Sequence, residues 1–204
     1  MIRFRSRATQ LVARVLASGL VALGSMSCVH SMDSSVDLNS DPREDRTYYP
    51  VLKRSTQSAD VIKNFETRFK VRATWLSPEF RTAFAKRLGE VYQQTDASFG
   101  EADAKAGFFV TIYAPDHNAV DLANPHHWNL FMRGADGTIK PSLVKRINDK
   151  IRWSPFFDTI NPWTTEYLVV FDTAPVNANS PELVGATPVE LTLANADAQV
   201  TLKW

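Results

Sequence analysis

The segment Phe65-Glu66-Thr67-Arg68-Phe69-Lys70-Val71-Arg72-Ala73-Thr74-Trp75-Leu76 alternates without a break. Phe65, Thr67, Phe69, Val71, Ala73 and Trp75 fall on one side, and Glu66, Arg68, Lys70, Arg72 and Thr74 fall on the other. A period of two in residues of high β propensity predicts a strand with one face on a core and one in water. The row Arg68, Lys70, Arg72 is a candidate anion-binding surface. More often such a row is a solvated strand face with acidic partners on the neighbouring strand.

Moving toward the C-terminus, Ser77-Pro78-Glu79 has the chemistry of a helix start. Serine caps exposed amides, proline suits the first helical position and glutamate complements the dipole. Phe80, Phe84, Leu88, Val91 and Tyr92 then recur at spacings of three and four, giving one apolar stripe that predicts a helix packed on a sheet. Residues 108–114, Phe-Phe-Val-Thr-Ile-Tyr-Ala, are apolar on both faces and predict a central strand covered on both sides. Residues 127–133 alternate, with Trp128, Leu130 and Met132 on one side, and Gly134-Ala135-Asp136-Gly137 follows as a hairpin turn. Residues 143–151 suit a helix through Leu143, Val144, Ile147 and Ile151 and an edge strand through Pro141 and their branched side chains; both readings stay open. Residues 166–171 predict another buried strand, and 189–193 with 200–204 a closing hairpin, with Trp204 tied into the core.

The expected fold is therefore mainly β: a β-sandwich, immunoglobulin-like or C2-like, carrying one inserted amphipathic α-helix. No internal repeat and no βαβ alternation is present, which argues against a doubly wound nucleotide-binding fold.

Toward the N-terminus the chain changes character. Residues 29–46 are rich in serine, aspartate and charge and read as a flexible spacer. Before them, Arg3, Arg5 and Arg7 precede a mostly apolar run over residues 15–23, too short to span a bilayer, and then Gly24-Ser25-Met26-Ser27-Cys28. Cys28 is the only cysteine. This segment resembles the signal of bacterial lipoproteins, with Ser27 at the small position before the cysteine; Ser25 and Met26 depart from the usual pattern. The resemblance covers about the first 28 residues. It implies cleavage before Cys28, acylation of that thiol and anchoring in the cell envelope. Val29, where members kept at the inner membrane often carry aspartate, leans the expected location to the outer membrane. An ordinary signal peptide with an incidental Cys28 is the other reading. The expected division is a signal peptide over 1–27, a lipid anchor and spacer over 28–47 and one β-rich domain over 48–204.

Charge bounds the partners. The whole chain carries 23 basic and 22 acidic residues, and removing 1–27 leaves 19 against 22, a formal charge of -3. A near-neutral or slightly acidic protein lacks the basic excess that phosphate contacts need, so no nucleic-acid partner is expected.

Candidate chemistry is sparse. His117, His126 and Asp121 share one stretch and are weak candidates for a metal site, but adjacent His126 and His127 at a strand mouth point to opposite faces. No Gly-x-Ser-x-Gly elbow or phosphate loop occurs, and no catalytic residue and no cofactor are assigned. Trp153, Phe156, Phe157 and Trp163 lie on a loop between strands and form a possible contact surface for glycan, peptide or membrane; their commoner role is to cap a core. The function expected is a lipid-anchored, non-enzymatic envelope protein that binds or assembles with an envelope protein or glycan. The alternative is an envelope or secreted metal-assisted hydrolase using the His117/His126 region.

Overall fold

The computed structural model describes residues 41–96, 98–116, 120–134, 137–173 and 188–204. Its strands are β1 (Thr56–Lys63), β2 (Glu66–Trp75), β3 (Ala106–Tyr113), β4 (Asn129–Gly134), β5 (Gly137–Ile139), β6 (Leu143–Ile147), β7 (Thr165–Phe171), β8 (Glu190–Ala194) and β9 (Gln199–Lys203). Three helices accompany them, α1 (Tyr49–Ser55), α2 (Pro78–Tyr92) and the short α3 (Lys150–Trp153). The strands make two antiparallel sheets, a five-stranded one in the order β1-β2-β3-β7-β6 and a four-stranded one in the order β5-β4-β8-β9. The expected mainly β sandwich with an amphipathic helix is the fold observed.

The five-stranded sheet is the middle of three layers. Phe69, Val71, Ala73 and Trp75 of β2, Phe108, Val110 and Ile112 of β3, and Tyr167, Val169 and Phe171 of β7 face Leu130, Met132, Leu191, Leu193 and Leu202 of the second sheet. The opposite face carries Phe109, Leu168 and Val170, which pack on Phe80, Phe84 and Leu88 of α2, Leu52 of α1 and the pair Phe156 and Phe157. Phe109 and Phe157 stack at 3.7 Å between centroids, 4° from parallel. This double cover explains why β3 and β7 read as continuous apolar runs instead of alternating ones. Among residues 143–151 the strand reading holds for Leu143–Ile147, an edge strand beside β7, while Ile151 sits exposed in α3.

Helix α2 starts as the sequence predicts, with the Ser77 hydroxyl accepting from the Phe80 N–H at 3.1 Å. It stops at Gln93, whose backbone is left-handed. The chain terminus is tied down by Trp204, whose Nε1 donates to the Ser55 carbonyl at 2.6 Å while its N–H donates to Val189 at 3.0 Å. At the other end, Arg87 of α2 is buried and gathers three elements. Its Nη1 reaches Asp45 at 2.8 Å, its Nε donates to the Pro155 carbonyl at 2.8 Å, and its guanidinium lies 5.2 Å from the Tyr48 ring.

Two features depart from the pattern read in the sequence. Strand β1 was not anticipated: it is an edge strand whose inward residues are only Ala59 and Val61, too few to give a periodic signal. Phe65, expected on the buried face of the following strand, instead stands fully exposed in the two-residue turn between β1 and β2. Asn64 and Phe65 there have φ of 54° and 64°. Two left-handed residues match the twist of a tight hairpin, which fixes their conformation but favours glycine at the second position. For a phenylalanine this geometry is strained by about 1 kcal/mol. Phe65→Gly is expected to raise stability by about that amount in urea unfolding; an unchanged or lower midpoint would contradict a strained turn.

Candidate functional site

Along the helix-facing side of the five-stranded sheet, residue character changes partway. Phe109, Leu168 and Val170 are apolar and covered by helices. The next positions on the same face are Thr111 and Tyr113 of β3, Arg72 and Lys70 of β2, and Glu166 of β7. An apolar helix stripe gains nothing by covering such residues, so the helical layer ends there. The loop from α3 to β7 crosses over instead. Between loop and sheet lies an open groove of about 670 Å³, lined by Lys70, Arg72, Thr111 and Tyr113 on the sheet and Asp158, Thr159, Asn161, Trp163 and Thr164 on the loop.

The sheet side is a two-by-two array. Lys70 is paired with Tyr113 and Arg72 with Thr111 across antiparallel β2 and β3, placing two cations beside two hydroxyl side chains in register. Their charges are not equally compensated. Lys70 Nζ lies 3.1 Å from Asp60 on β1, and Arg68 Nη1 is 3.5 Å from Glu66. Arg72 stands opposite Ser58 on β1 and Thr111 on β3, so no acid faces it from either neighbouring strand, and its guanidinium has no ion pair among the described residues. The row thus has the acidic neighbours of an ordinary strand face at two positions and lacks one at the third.

The loop side is built around a buried carboxylate. Glu166 is inaccessible to solvent; its Oε1 is 2.6 Å from the Thr164 hydroxyl and its Oε2 lies 3.4 Å from Lys150 Nζ without a hydrogen bond. Burial pushes its carboxyl above the usual range, against the opposing effects of the Thr164 hydrogen bond and the Lys150 charge. Lys150 also donates to the carbonyls of Asn161, at 3.1 Å, and Thr164. Within the turn, Asn161 Oδ1 accepts from the Trp163 N–H at 2.9 Å and the Asn161 N–H donates to Thr164 Oγ1 at 3.0 Å. Half-exposed Lys150, bridging the buried Glu166 carboxylate and the turn's carbonyls, therefore fixes the turn that carries Trp163, and the indole it presents is 69% exposed. Large aromatics of soluble domains are mostly covered, so an exposed tryptophan on a braced turn is the feature a binding surface requires.

The four aromatic residues singled out in the sequence do not stay together. Phe156 and Phe157 are buried in the helical layer and Trp153 is half-buried beside them, stacked on Phe84 at 6.1 Å. Trp163 alone of the four is exposed, and it stands at the groove. His126 and His127 are exposed in the turn before β4, where the Asn124 side chain accepts from the His126 N–H at 3.0 Å. Asp121 in the same stretch accepts from the Ala123 N–H at 3.2 Å. His117 lies outside the described residues, as does Cys28. Among the described residues no group of three or more His, Cys, Asp or Glu side chains is placed to hold one metal ion, and no helix is long and apolar enough to cross a membrane.

Neither family models, nor curated proteins, nor solved structures match this chain.

Proposed function

We propose that this chain is an exported, lipid-anchored envelope protein whose domain acts as a non-enzymatic binding module, with the groove between the five-stranded sheet and the Trp163 turn as its binding site. The anchor reading rests on the export segment ending in Cys28 and on the serine-rich stretch after it. The observation that carries the binding reading is the pairing of an uncompensated Arg72 on one wall with an exposed, braced Trp163 on the other. A cation without an ion pair on one wall and an exposed aromatic face on the other suit a ligand that joins an anionic group to an apolar surface.

The anchor is tested by fractionation. Cys28→Ala is expected to move the protein out of the membrane fraction while leaving the unfolding transition of the domain unchanged. Undiminished sedimentation of the variant with membranes would refute the acyl anchor.

A further inference from the structure

We propose that the ligand of the groove is an acidic saccharide that places a single carboxylate in it; this rests on the reading of the groove as a binding site and names what fills it.

Three properties of the lining select that class together. The first is charge. The groove is lined by two cations, Lys70 and Arg72, and one anion, Asp158, and Lys70 already shares its charge with Asp60. Of the two cations, Arg72 alone has no ion pair among the described residues. A nucleic acid or polyphosphate would bring several negative charges against Asp158 and Asp60 and find one cation to receive them, whereas binding of such ligands depends on many phosphate contacts. A single carboxylate matches, since guanidinium and carboxylate meet through two parallel N–H···O bonds.

The second property is the donor and acceptor set. Tyr113 and Thr159 offer hydroxyls that donate and accept, Asn161 offers its amide N–H groups, and the Asp158 carboxylate accepts, while the buried Thr111 hydroxyl already donates to the Arg72 carbonyl at 3.5 Å. The Asp158 carboxylate needs donors on the ligand. Fatty acids and simple aromatic acids have none to give once ionised, while a sugar ring presents several hydroxyls. The third property is the exposed indole of Trp163, a flat apolar surface for the C–H face of a pyranose ring. Its turn is fixed by Lys150 and buried Glu166, so the stacking surface is in place before a ligand arrives and little ordering entropy is lost on binding. The groove is open and its volume of about 670 Å³ falls within the range of small-ligand pockets, about 300 to 1,000 Å³. An open groove admits one stretch of a longer polymer as readily as a free sugar.

The test uses the detergent-solubilised mature protein and follows tryptophan fluorescence and heat of binding. The probes are the methyl glycosides of galacturonate and mannuronate, their methyl esters, and benzoate as an aromatic carboxylate without hydroxyls. At least one of the two uronates is expected to bind. Its methyl ester, Arg72→Gln and Trp163→Ala are each expected to weaken that binding at least tenfold, and benzoate is expected to compete at least tenfold less well. Arg72 and Trp163 are exposed and outside both cores, so these variants keep the wild-type unfolding midpoint. If benzoate binds in an Arg72-dependent manner as tightly as either uronate, the saccharide assignment is overturned and the groove remains an anion site. If no probe binds in a way that Arg72→Gln or Trp163→Ala alters, both the ligand class and the groove's role are overturned. A methyl ester that binds as well as its acid overturns the role of Arg72.

Discussion

Arg87→Ala is expected to destabilise the domain by about 4 kcal/mol, because it leaves Asp45 without its ionic partner in a partly buried site and removes the bond to the Pro155 carbonyl. Its reach is unusual for a helix side chain. It joins the segment before α1, α2 itself and the loop that supplies Phe156 and Phe157. The same site gives a pH signature. Burial acts to raise the Asp45 carboxyl, but the N–H of Tyr48, the hydroxyl and N–H of Thr47 and the Arg87 guanidinium outweigh it and bring it down to about 2. A carboxylate depressed in the folded state contributes stability that is present above its unfolded value, near 3.8, and lost as pH falls toward 2. That contribution is about 2 kcal/mol. Urea unfolding of wild type and Arg87→Ala at pH 7 and pH 3 is expected to show the gap between them narrowing in acid; a gap that is small at pH 7, or that widens in acid, would contradict this role.

Lys150→Ala is expected to cost about 3 kcal/mol at pH 7, since it leaves the fully buried Glu166 carboxylate without a counter-ion. The sign of the pH dependence is opposite to that of Asp45. Glu166 is raised by burial, so its folded form holds its proton more tightly than the unfolded chain does, and stability is lost as pH rises above the ordinary glutamate value of 4.5. Removing the lysine deletes one of the effects that lower Glu166, so the penalty at pH 7 grows and that at pH 4 shrinks. Lys150→Ala combined with Glu166→Gln is expected to recover most of the loss, because no buried charge remains. If the double variant is no more stable than Lys150→Ala, the ion pair is not what braces the turn. Because that turn carries Trp163, the single variant is also expected to increase the mobility of the indole, read as lower steady-state anisotropy of its fluorescence.

Much of this architecture is legible in the residues, and the illegible parts share one cause. Residues 108–114 and 166–171 are apolar on both faces because two layers cover them, and that pattern needs no knowledge of pairing. Ser77 and Pro78 mark the start of α2 by local chemistry alone. Strand β1 escapes because an edge strand with Ala59 and Val61 as its only inward groups has almost no hydrophobic period. Phe65 misleads because it continues the alternation of β2 into a turn whose geometry is set by the hairpin register. The groove is hidden for the same reason. Arg72 is visible in the sequence as one of three cations in a row, but what separates it from Lys70 is which residues lie across from it on β1 and β3. Likewise, nothing local distinguishes Trp163 from Trp153; the difference arises from Lys150 and Glu166 holding one turn against the sheet and from Phe84 covering the other ring.

The claim that this domain works at a membrane surface depends on the fate of one thiol. Mass spectrometry of the protein extracted from the membranes of its own cells measures that directly. The expected spectrum shows a chain beginning at Cys28 and heavier than its residues by a diacylglyceryl group. A chain that begins elsewhere, or that carries Cys28 as an unmodified thiol, would contradict the account.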